Sequence, residues 1–296
     1  MQHSDRIEGS KPVVSRGYVM RASIFAGMAV ATLAAAIPAQ AADFFGALRG
    51  TQNTHHGMTP VETWQGGYFG GFAGVVSGQA NHGRSFRDFL THELRLNLFE
   101  DRNAISNWIS LPAGKARNKN FGVFAGYNYQ YDEVVFGFEA DYTRMNLRMN
   151  STDSLTRAIA DLTGIAGLEG QAGAVTMTGR SKLEIKDLIT LRARAGYTVG
   201  SFMPFVTAGV ALANYDMMRM AQRDVLVFAT GQTLTETHGP QRKSGFAFGF
   251  AGGAGVDVAV GANGFLRGEW QYAHFRDIEG IRASLHNLRA ATGVRF

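Results

Sequence analysis

Apolar and polar side chains alternate residue by residue through eight separate stretches of this chain. A period of two places one set of side chains on each face of an extended backbone, so the pattern predicts eight β-strands. Each stretch reaches the roughly 9 to 11 residues that a tilted strand needs to cross a lipid bilayer. The predicted strands cover residues 64–79, 120–130, 133–147, 183–199, 202–216, 244–260, 265–275 and 285–296.

The last stretch indicates that lipid, and not a protein core, covers the apolar face. Leu288, Val294 and Phe296 share one face, and Arg289 and Arg295 share the other. In a soluble protein the apolar face would need a further core to pack against. In a transmembrane barrel, lipid covers that face and the lumen holds the arginines.

Charged side chains recur on the polar faces of four predicted strands. A charged group exposed to hydrocarbon costs several kcal/mol, so these groups are expected to line the inside of the barrel. We predict that they form a mutually satisfied polar network in the lumen, made of Glu139, Asp141, Arg192, Arg194, Arg267, Glu269 and Arg289. The predicted fold is an all-β, eight-stranded, antiparallel, up-and-down transmembrane barrel, whose interior is only wide enough for side chains.

The connections between the predicted strands alternate between short and long. Short turns are expected at residues 131–132, 200–201 and 261–264, and long loops follow the first, third and fifth strands. Outer-membrane barrels have short periplasmic turns and longer extracellular loops. The alternation therefore predicts long extracellular loops and places both termini in the periplasm.

The N-terminal region has the pattern of a secretory signal peptide. An apolar run over residues 22–37 follows Arg16 and Arg21 and precedes Ala39 and Ala41. We expect residues 1–41 to be a cleaved signal peptide, residues 42–63 a flexible periplasmic lead segment, and residues 64–296 the barrel domain. Residues 1–19 are long and polar for the start of a signal peptide, which suggests that translation begins at Met20, with Met1 as the alternative.

Composition and charge are compatible with a barrel and argue against several other classes. The mean hydropathy of −0.08 is expected when only half of each strand faces lipid. The absence of cysteine excludes disulfides, thiolate metal ligands and a cysteine nucleophile. Loss of residues 1–41 removes four basic and two acidic residues, which lowers the net charge from +5 to +3. The basic residues form no run, so we expect no nucleic-acid partner.

Five segments, in order, resemble the small eight-stranded outer-membrane surface proteins of alphaproteobacteria, a family with porin-like names and an OmpA-like barrel. The resemblance extends over residues 64–296 in the strands and is lost in the loops. The segments are WQGGYFGG at 64–71, GYNYQ with VFGFEAD at 126–130 and 135–141, TLRARAGY at 190–197, PFVTAGVA at 204–211, and HNLR with VRF at 286–289 and 294–296.

This resemblance implies an integral outer-membrane protein that contacts outer-membrane lipid. It implies insertion by the barrel-assembly machinery, which recognises a C-terminal aromatic strand, here with Phe296 as the assembly signal. Members are mostly structural or surface-exposed, and some bind haem or host components. We expect no peptidoglycan-binding domain, because no sequence follows Phe296.

The sequence offers only weak candidates for a metal, haem or catalytic site. Adjacent histidines on an extended chain point in opposite directions, and no third ligand has suitable spacing. We therefore predict no metal and no cofactor; the histidines considered are His55, His56, His82, His92, His238, His274 and His286. His274 with Ser284 could suggest a lipid A hydrolase or acyltransferase, but a histidine beside Tyr272 is typical of an interfacial girdle. We predict that the protein is not an enzyme.

Apolar residues within the predicted long loops have two interpretations. They form either a ligand or partner surface or short amphipathic segments that pack on the barrel mouth, and self-packing is the favoured interpretation. The residues are Phe86, Phe89, Leu90, Leu94, Leu96, Leu98, Leu155, Ile159, Leu162 and Ile165.

The sequence as a whole favours a structural outer-membrane barrel with a plugged lumen and displayed loops. The alternatives are loop-mediated surface binding, by an adhesin or a haem binder, and a narrow porin-like channel. A soluble periplasmic barrel is the opposing class, which heat-modifiable mobility in the membrane fraction would exclude.

Overall fold

A computed structural model describes residues 63–95 and 97–296. The predicted signal peptide and all but Thr63 of the lead segment lie outside the described residues. The described chain is dominated by eight antiparallel strands, as the alternation predicts. They are β1 Gly66–Asn81, β2 Ala113–Tyr131, β3 Val134–Ile159, β4 Gly173–Tyr197, β5 Phe202–Val227, β6 Thr233–Val260, β7 Gly264–Ile278 and β8 Ile281–Arg295.

Each strand pairs with its neighbours in sequence, and β8 pairs with β1 to close the barrel. The closing register places Phe69 opposite Val294. Phe296 continues the ladder, since its backbone amide donates to the Gly67 carbonyl at 2.9 Å and its carbonyl accepts from the Gly67 amide at 3.1 Å. The predicted eight-stranded up-and-down barrel is therefore confirmed.

The two faces of the barrel differ as the alternation predicts. Large apolar side chains cover the outside of the half in which β1 begins and β8 ends: Phe138, Phe248 and Leu288 are 70%, 78% and 66% exposed. Inward positions on the same strands are buried and include all seven charged residues predicted for the lumen. Glycines permit this close packing, because a Cβ on Gly249 would lie 2.7 Å from the Phe275 ring.

The strands β3 to β6 continue well past their predicted ends. β3 reaches Ile159 and β5 reaches Val227, where the sequence analysis placed long loops. The outer face of these extensions is polar; Thr156 and Thr176, for example, share a hydrogen bond of 2.8 Å across β3 and β4. The sequence analysis recognised strands by their apolar face, and that face ends where the strand leaves the lipid, although the backbone continues as a strand. The predicted strand ends were wrong for this reason.

The rim at which β1 begins and β8 ends is called the terminal rim. Its connections are short, as predicted, and cover residues 132–133, 198–201 and 261–263. At the opposite rim only residues 82–112 form a long connection, and the others cover residues 160–172, 228–232 and 279–280. The predicted long loops after the third and fifth strands are thus mostly strand. This correction makes the distal half of the molecule a tall, ordered extension of the barrel.

The long connection folds into a helical cap, made of α1 Gly83–Glu93, α2 Leu98–Asn103 and a 3-10 helix Ile105–Asn107. The Asn97 side chain caps α2 by accepting from the Phe99 amide at 2.9 Å. Phe86, Phe89 and Leu90 of α1 pack with Val175 and Val225, which lie on the inner side of the distal barrel. The structure supports self-packing for this loop. No described helix is long and apolar enough to cross a membrane.

Leu155 and Ile159, predicted to lie in a helical loop segment, lie on β3 instead. Both pack against the cluster under the cap, where Leu162 and Ile165 are also buried. The spacing of these four residues resembles that of a helix because β3 ends at Ile159 and the turn that follows returns Leu162 and Ile165 to the same cluster.

Candidate functional site

The most distinctive site in the described residues is a layer of charged side chains across the barrel lumen. Four arginines and four carboxylates meet there, so the formal charges balance. Their side chains are between 0% and 2% exposed. The layer consists of Glu139 and Asp141 on β3, Arg192 and Arg194 on β4, Asp257 on β6, Arg267 and Glu269 on β7, and Arg289 on β8.

Arg192 links three of the carboxylates. Its Nη2 lies 2.6 Å from Glu139 Oε1 and 2.9 Å from Asp141 Oδ2, and its Nη1 lies 2.5 Å from Glu269 Oε1. The planar guanidinium presents donors in a fixed fork, which suits simultaneous contacts in different directions. Arg192 therefore joins strands from both sides of the barrel.

Arg267 and Arg289 extend the network around the lumen. Arg267 Nη1 donates to Glu139 Oε2 at 2.5 Å, and Arg267 Nε donates to Asp257 Oδ1 at 2.7 Å. Arg289 Nη2 donates to Glu269 Oε2 at 2.8 Å. The structure thus brings all seven sequence-predicted lumenal residues into one network.

Asp257 is the member of the layer that the sequence analysis missed. It accepts from Arg194 Nη2 and from Arg267 Nε. The sequence carried a signal, since Asp257 lies between Val256 and Val258 in the stretch predicted as the sixth strand and therefore on the opposite face from them. A single carboxylate between small residues was not recognised as part of a network that spans several strands.

Aromatic rings lie directly beneath the charged layer, toward the terminal rim. Tyr68 Oη donates to Glu139 Oε2 at 3.0 Å, and the Tyr68 ring contacts Phe124 and Phe265 at centroid distances of 6.2 and 6.0 Å. Arg267 lies 4.5 Å above the Phe124 ring and Arg194 lies 3.8 Å above the Phe205 ring. The arginines thus contact carboxylates on one side and aromatic faces on the other.

An amide layer and an apolar cluster lie on the other side of the charged residues. Asn120 Nδ2 donates to Asn287 Oδ1 at 2.7 Å, and Asn287 lies 3.4 Å from Gln271 Oε1. Beyond them, Met145, Leu147 and other fully buried apolar side chains fill the barrel. The lumen is therefore filled in successive aromatic, ionic, amide and apolar layers.

The histidines that the sequence analysis considered do not come together. His82 is fully buried and its Nδ1 is hydrogen-bonded to Ser181 Oγ at 2.8 Å; burial lowers the pKa of His82 to about 4. His238 Nε2 lies 3.4 Å from Glu236, whereas His55 and His56 lie outside the described residues. Within the described part of the chain, no three metal-ligating side chains are grouped in a way that could hold a metal ion.

His274 and Ser284 lie opposite each other on β7 and β8. His274 stacks on Tyr272 at a centroid distance of 6.3 Å, and Tyr272 contacts His286 at 4.9 Å. These rings form an aromatic group on the outside of the barrel. This is the environment expected of an interfacial girdle.

The comparisons with known proteins agree with this architecture. A family model described as "Outer membrane protein beta-barrel domain" matches residues 27–296. The 31 kDa outer-membrane immunogenic protein of Brucella melitensis biotype 1 is 29% identical over 252 residues, which cover 80% of this chain and 86% of the relative. The 25 kDa outer-membrane immunogenic protein of Brucella ovis is 25% identical over 178 residues, covering 59% of this chain and 62% of the relative.

Two solved barrels align with the structure at low sequence identity. The outer membrane protein OprG of Pseudomonas aeruginosa has 10% identity and a TM-score of 0.33, with coverage of 80% of this chain and 99% of OprG. The attachment invasion locus protein Ail of Yersinia pestis has 11% identity and a TM-score of 0.31, with coverage of 78% and 99%.

The closed ring of strands, the apolar exterior around a charged interior, and the family match over most of the chain lead to one conclusion. The chain belongs to the family of outer-membrane proteins with a β-barrel domain, and it is a protein of the Gram-negative outer membrane.

Proposed function

We propose that this protein is a structural outer-membrane barrel with a closed lumen, which displays its distal half at the cell surface. The observation that carries the proposal is the charged layer, in which four arginines and four carboxylates neutralise one another at 0% to 2% exposure. Ion pairs that satisfy each other leave no free charge to attract or guide a solute. The aromatic layer below and the apolar cluster above add two further barriers.

The proposed orientation places the terminal rim in the periplasm. β1 begins and β8 ends at this rim, where the connections cover only residues 132–133, 198–201 and 261–263. Short periplasmic turns and longer extracellular connections are the usual arrangement in outer-membrane barrels. The helical cap and the extended parts of β3 to β6 would then face the medium.

The proposed domain organisation follows the sequence pattern. Residues 1–41 act as a cleaved signal peptide, residues 42–63 as a periplasmic lead segment, and residues 64–296 as the barrel domain. Phe296 is proposed as the signal for the barrel-assembly machinery. Its ring is 75% exposed on the lipid face, and its backbone pairs with Gly67 at the seam. A ring in this position is free to be recognised before β8 pairs with β1.

A non-enzymatic role is part of the proposal. Ser284 lies across from His274, but the contacts of that histidine are aromatic, with Tyr272 at 6.3 Å. Ser181, the serine hydrogen-bonded to His82, is only 3% exposed. A nucleophile needs an activating base and an approach for substrate, and neither pair offers both.

Loop-mediated surface binding is the second candidate function, as an adhesin or a haem binder. The observation that favours it is the ordered distal extension, since β3 to β6 and the cap present a rigid surface beyond the lipid-facing aromatics. Rigid scaffolds commonly carry binding residues in this way. Two relatives are described as immunogenic outer-membrane proteins, which fits surface display.

Single-channel recording on refolded protein in a planar lipid bilayer tests the closed lumen. We expect no conductance steps under conditions in which a general porin gives regular steps. Regular steps would instead support the third candidate, a narrow porin-like channel. Protease treatment of intact cells tests the orientation. Cleavage is expected in the distal connections, at exposed turn residues such as Arg95 and Glu169, whereas cleavage there only after the outer membrane is permeabilised would place the cap in the periplasm.

Binding of haem to the refolded protein, followed by absorbance, separates the second candidate from the first. A saturable complex that His92→Ala abolishes would favour haem binding, because His92 is an exposed histidine on the cap. Retention of envelope detergent resistance after removal of the cap would also favour a binding role, whereas its loss would support the structural role.

A further inference from the structure

The outer face of β2 carries a cluster of basic side chains that lacks acidic partners. Lys115, Arg117 and Lys119 occupy alternating positions, so all three point outward, and all are exposed. None of them forms an ion pair with any described residue. β8, β1 and β2 contain no aspartate or glutamate. On β3, the other neighbour of β2, Glu139 and Asp141 are buried in the lumen, and Asp153 accepts from the Ser110 amide.

The strand register arranges outward-facing residues from β2, β1 and β8 in rows. One row contains Arg117, Ser77 and His286, since Ser77 pairs with the other two. The next row toward the cap contains Lys115, Gln79 and Ser284, paired in the same way. Neighbouring strands lie about 4.8 Å apart, so each row brings its three side chains to one place on the surface.

These two rows line a hollow of about 400 Å³. The hollow opens outward, because the inner side of the wall is filled: a Cβ on Gly78 would lie 2.6 Å from Leu147 and 2.9 Å from Leu285. Six side chains that can donate hydrogen bonds surround it, namely Ser77, Gln79, Lys115, Arg117, Ser284 and His286.

The hollow lies at the edge of the lipid-facing surface. Lys119 is opposite Val75, which is opposite Leu288, a side chain that is 66% exposed. One row further from the cap, Phe121 is 54% exposed. The row of Lys119 is therefore the first charged row above apolar side chains, at the level where acyl chains give way to headgroups.

On β3 and β4, the next strands around the barrel from β2, four basic residues near this level have acidic partners. Arg144 lies 2.7 Å from Asp187, and Arg148 and Lys182 lie 2.9 and 3.0 Å from Glu184. Lys186 is also paired, with Asp216. Other exposed arginines, such as Arg242 on β6 and Arg276 on β7, also form no ion pair with a described residue. Lys115, Arg117 and Lys119 differ from them because three such side chains occupy alternating positions on one strand.

We propose that Lys115, Arg117 and Lys119 form a binding site for the phosphorylated headgroup of an outer-leaflet lipid. A guanidinium binds phosphate through two parallel hydrogen bonds, a lysine ammonium adds a point charge, and the serine hydroxyls can donate to the remaining oxygens. Leu288 and Phe121 would contact the acyl chains of the same lipid. This apolar contact favours a lipid phosphate over a free anion, which would gain nothing from it.

The proposal rests on the proposed orientation, with the cap outside, but not on the closed lumen. Its test uses purified full-length protein folded in neutral detergent, with bound lipid counted by native mass spectrometry. The probes are bisphosphorylated lipid A and the same lipid with both phosphates removed. Each variant is first checked for heat-modifiable mobility, so that misfolded protein is not counted.

We expect wild-type protein to bind bisphosphorylated lipid A and K115Q/R117Q/K119Q to bind it at least tenfold more weakly. The charge-conserving variant K115R/R117K/K119R should stay within threefold of wild type. The paired sector, meaning the ion-paired basic residues of β3 and β4, provides a matched control. R148Q/K182Q/K186Q removes three of its charges, and its affinity should also stay within threefold of wild type. Phosphate-free lipid should bind wild type and the glutamine variant of β2 equally and weakly.

Several results would overturn the proposal. These are an unchanged affinity in K115Q/R117Q/K119Q, an equal loss in the paired-sector control, and equal binding of the lipid without phosphate. Displacement of lipid by inorganic phosphate at the same phosphate concentration would indicate a free-anion site. Tighter, three-residue-dependent binding of heparin would indicate a site for a soluble polyanion. Conductance steps in planar-bilayer recording would contradict the closed lumen but would not change the result of the lipid-binding assay. Failure of the proposed function and failure of the lipid site are therefore distinguishable.

Discussion

Arg192 on β4 lies 2.5 Å from Glu269 on β7, although these two strands are not neighbours in the sheet. The contact crosses the lumen and joins opposite walls of the barrel. Arg192 also binds Glu139 on the adjacent β3 at 2.6 Å. One side chain thus contacts both a neighbouring strand and a strand on the opposite wall, so the charged layer links the two walls of the barrel.

Replacement of Glu139 by Gln is expected to destabilise the barrel. The Glu139 carboxylate lies within 4.0 Å of four arginines, Arg192, Arg194, Arg267 and Arg289, and its loss leaves excess buried positive charge. Removal of one partner from a buried network costs about 3 to 5 kcal/mol. Urea unfolding of protein in lipid vesicles measures the change.

Exposed Glu169 provides the matched control, since Glu169→Gln should change the free energy of unfolding by less than about 0.5 kcal/mol. If Glu139→Gln changed the free energy of unfolding as little as Glu169→Gln, the charged layer would not stabilise the fold.

Opening the charged layer alone is expected to leave the barrel closed to ions. The double variant R192S/E269S removes the transverse link and empties the centre of the layer. Tyr68, Phe124 and Phe265 still occupy the lumen toward the terminal rim, with Tyr68 and Phe265 only 2% exposed. Planar-bilayer recording should therefore show no steps. Conductance in this variant would mean that the aromatic layer is not a barrier by itself.

Attachment of the cap is expected to weaken as the pH falls from 7 to 5. Burial lowers the pKa of His82 to about 4, from an unperturbed value of 6.5. The unfolded segment binds a proton through this window while the folded one stays neutral, so stability is present above pH 6.5 and is lost as the pH falls toward 4. The loss between pH 7 and pH 5 is about 2 kcal/mol.

Amide hydrogen exchange of α1 checks this prediction, because opening of the cap exposes those amides. His82→Gln has no titrating ring and should show a flatter dependence over the same window. An identical pH dependence in wild type and variant would assign the effect to other groups.

A charge placed on the lipid face is expected to reduce stability strongly. Phe138 is 70% exposed on the outer face of β3, in the middle of the apolar surface. A lysine at the bilayer midplane costs about 2 to 4 kcal/mol, so Phe138→Lys should lower the free energy of unfolding in vesicles by that amount. Ala158→Lys lies on the same strand in the distal extension and should have little effect. Equal effects at both positions would contradict the assignment of Phe138 to lipid.

The alternation of side chains was sufficient to predict the strand number and the closed topology, and it placed seven of the eight charged residues of the layer on the polar faces of their strands. In a barrel wall, every second residue faces outward, so the polar faces that carry Glu139, Arg192 and Arg289 could only point into the lumen. The short turns of the terminal rim were also predictable, because they interrupt two adjacent alternating runs.

The tertiary structure decided what the pattern of a single strand does not contain. Which charges meet across the lumen depends on the stagger between strands when β8 closes on β1, and this stagger brings Asp257 beside Arg194 and Arg267. The full length of β3 to β6 could not be predicted from the alternation, because a strand that extends into water needs no apolar outer face. The unpaired Lys115 and Arg117 also emerge only from the closed ring, since an ion pair between strands depends on which residues the register places side by side.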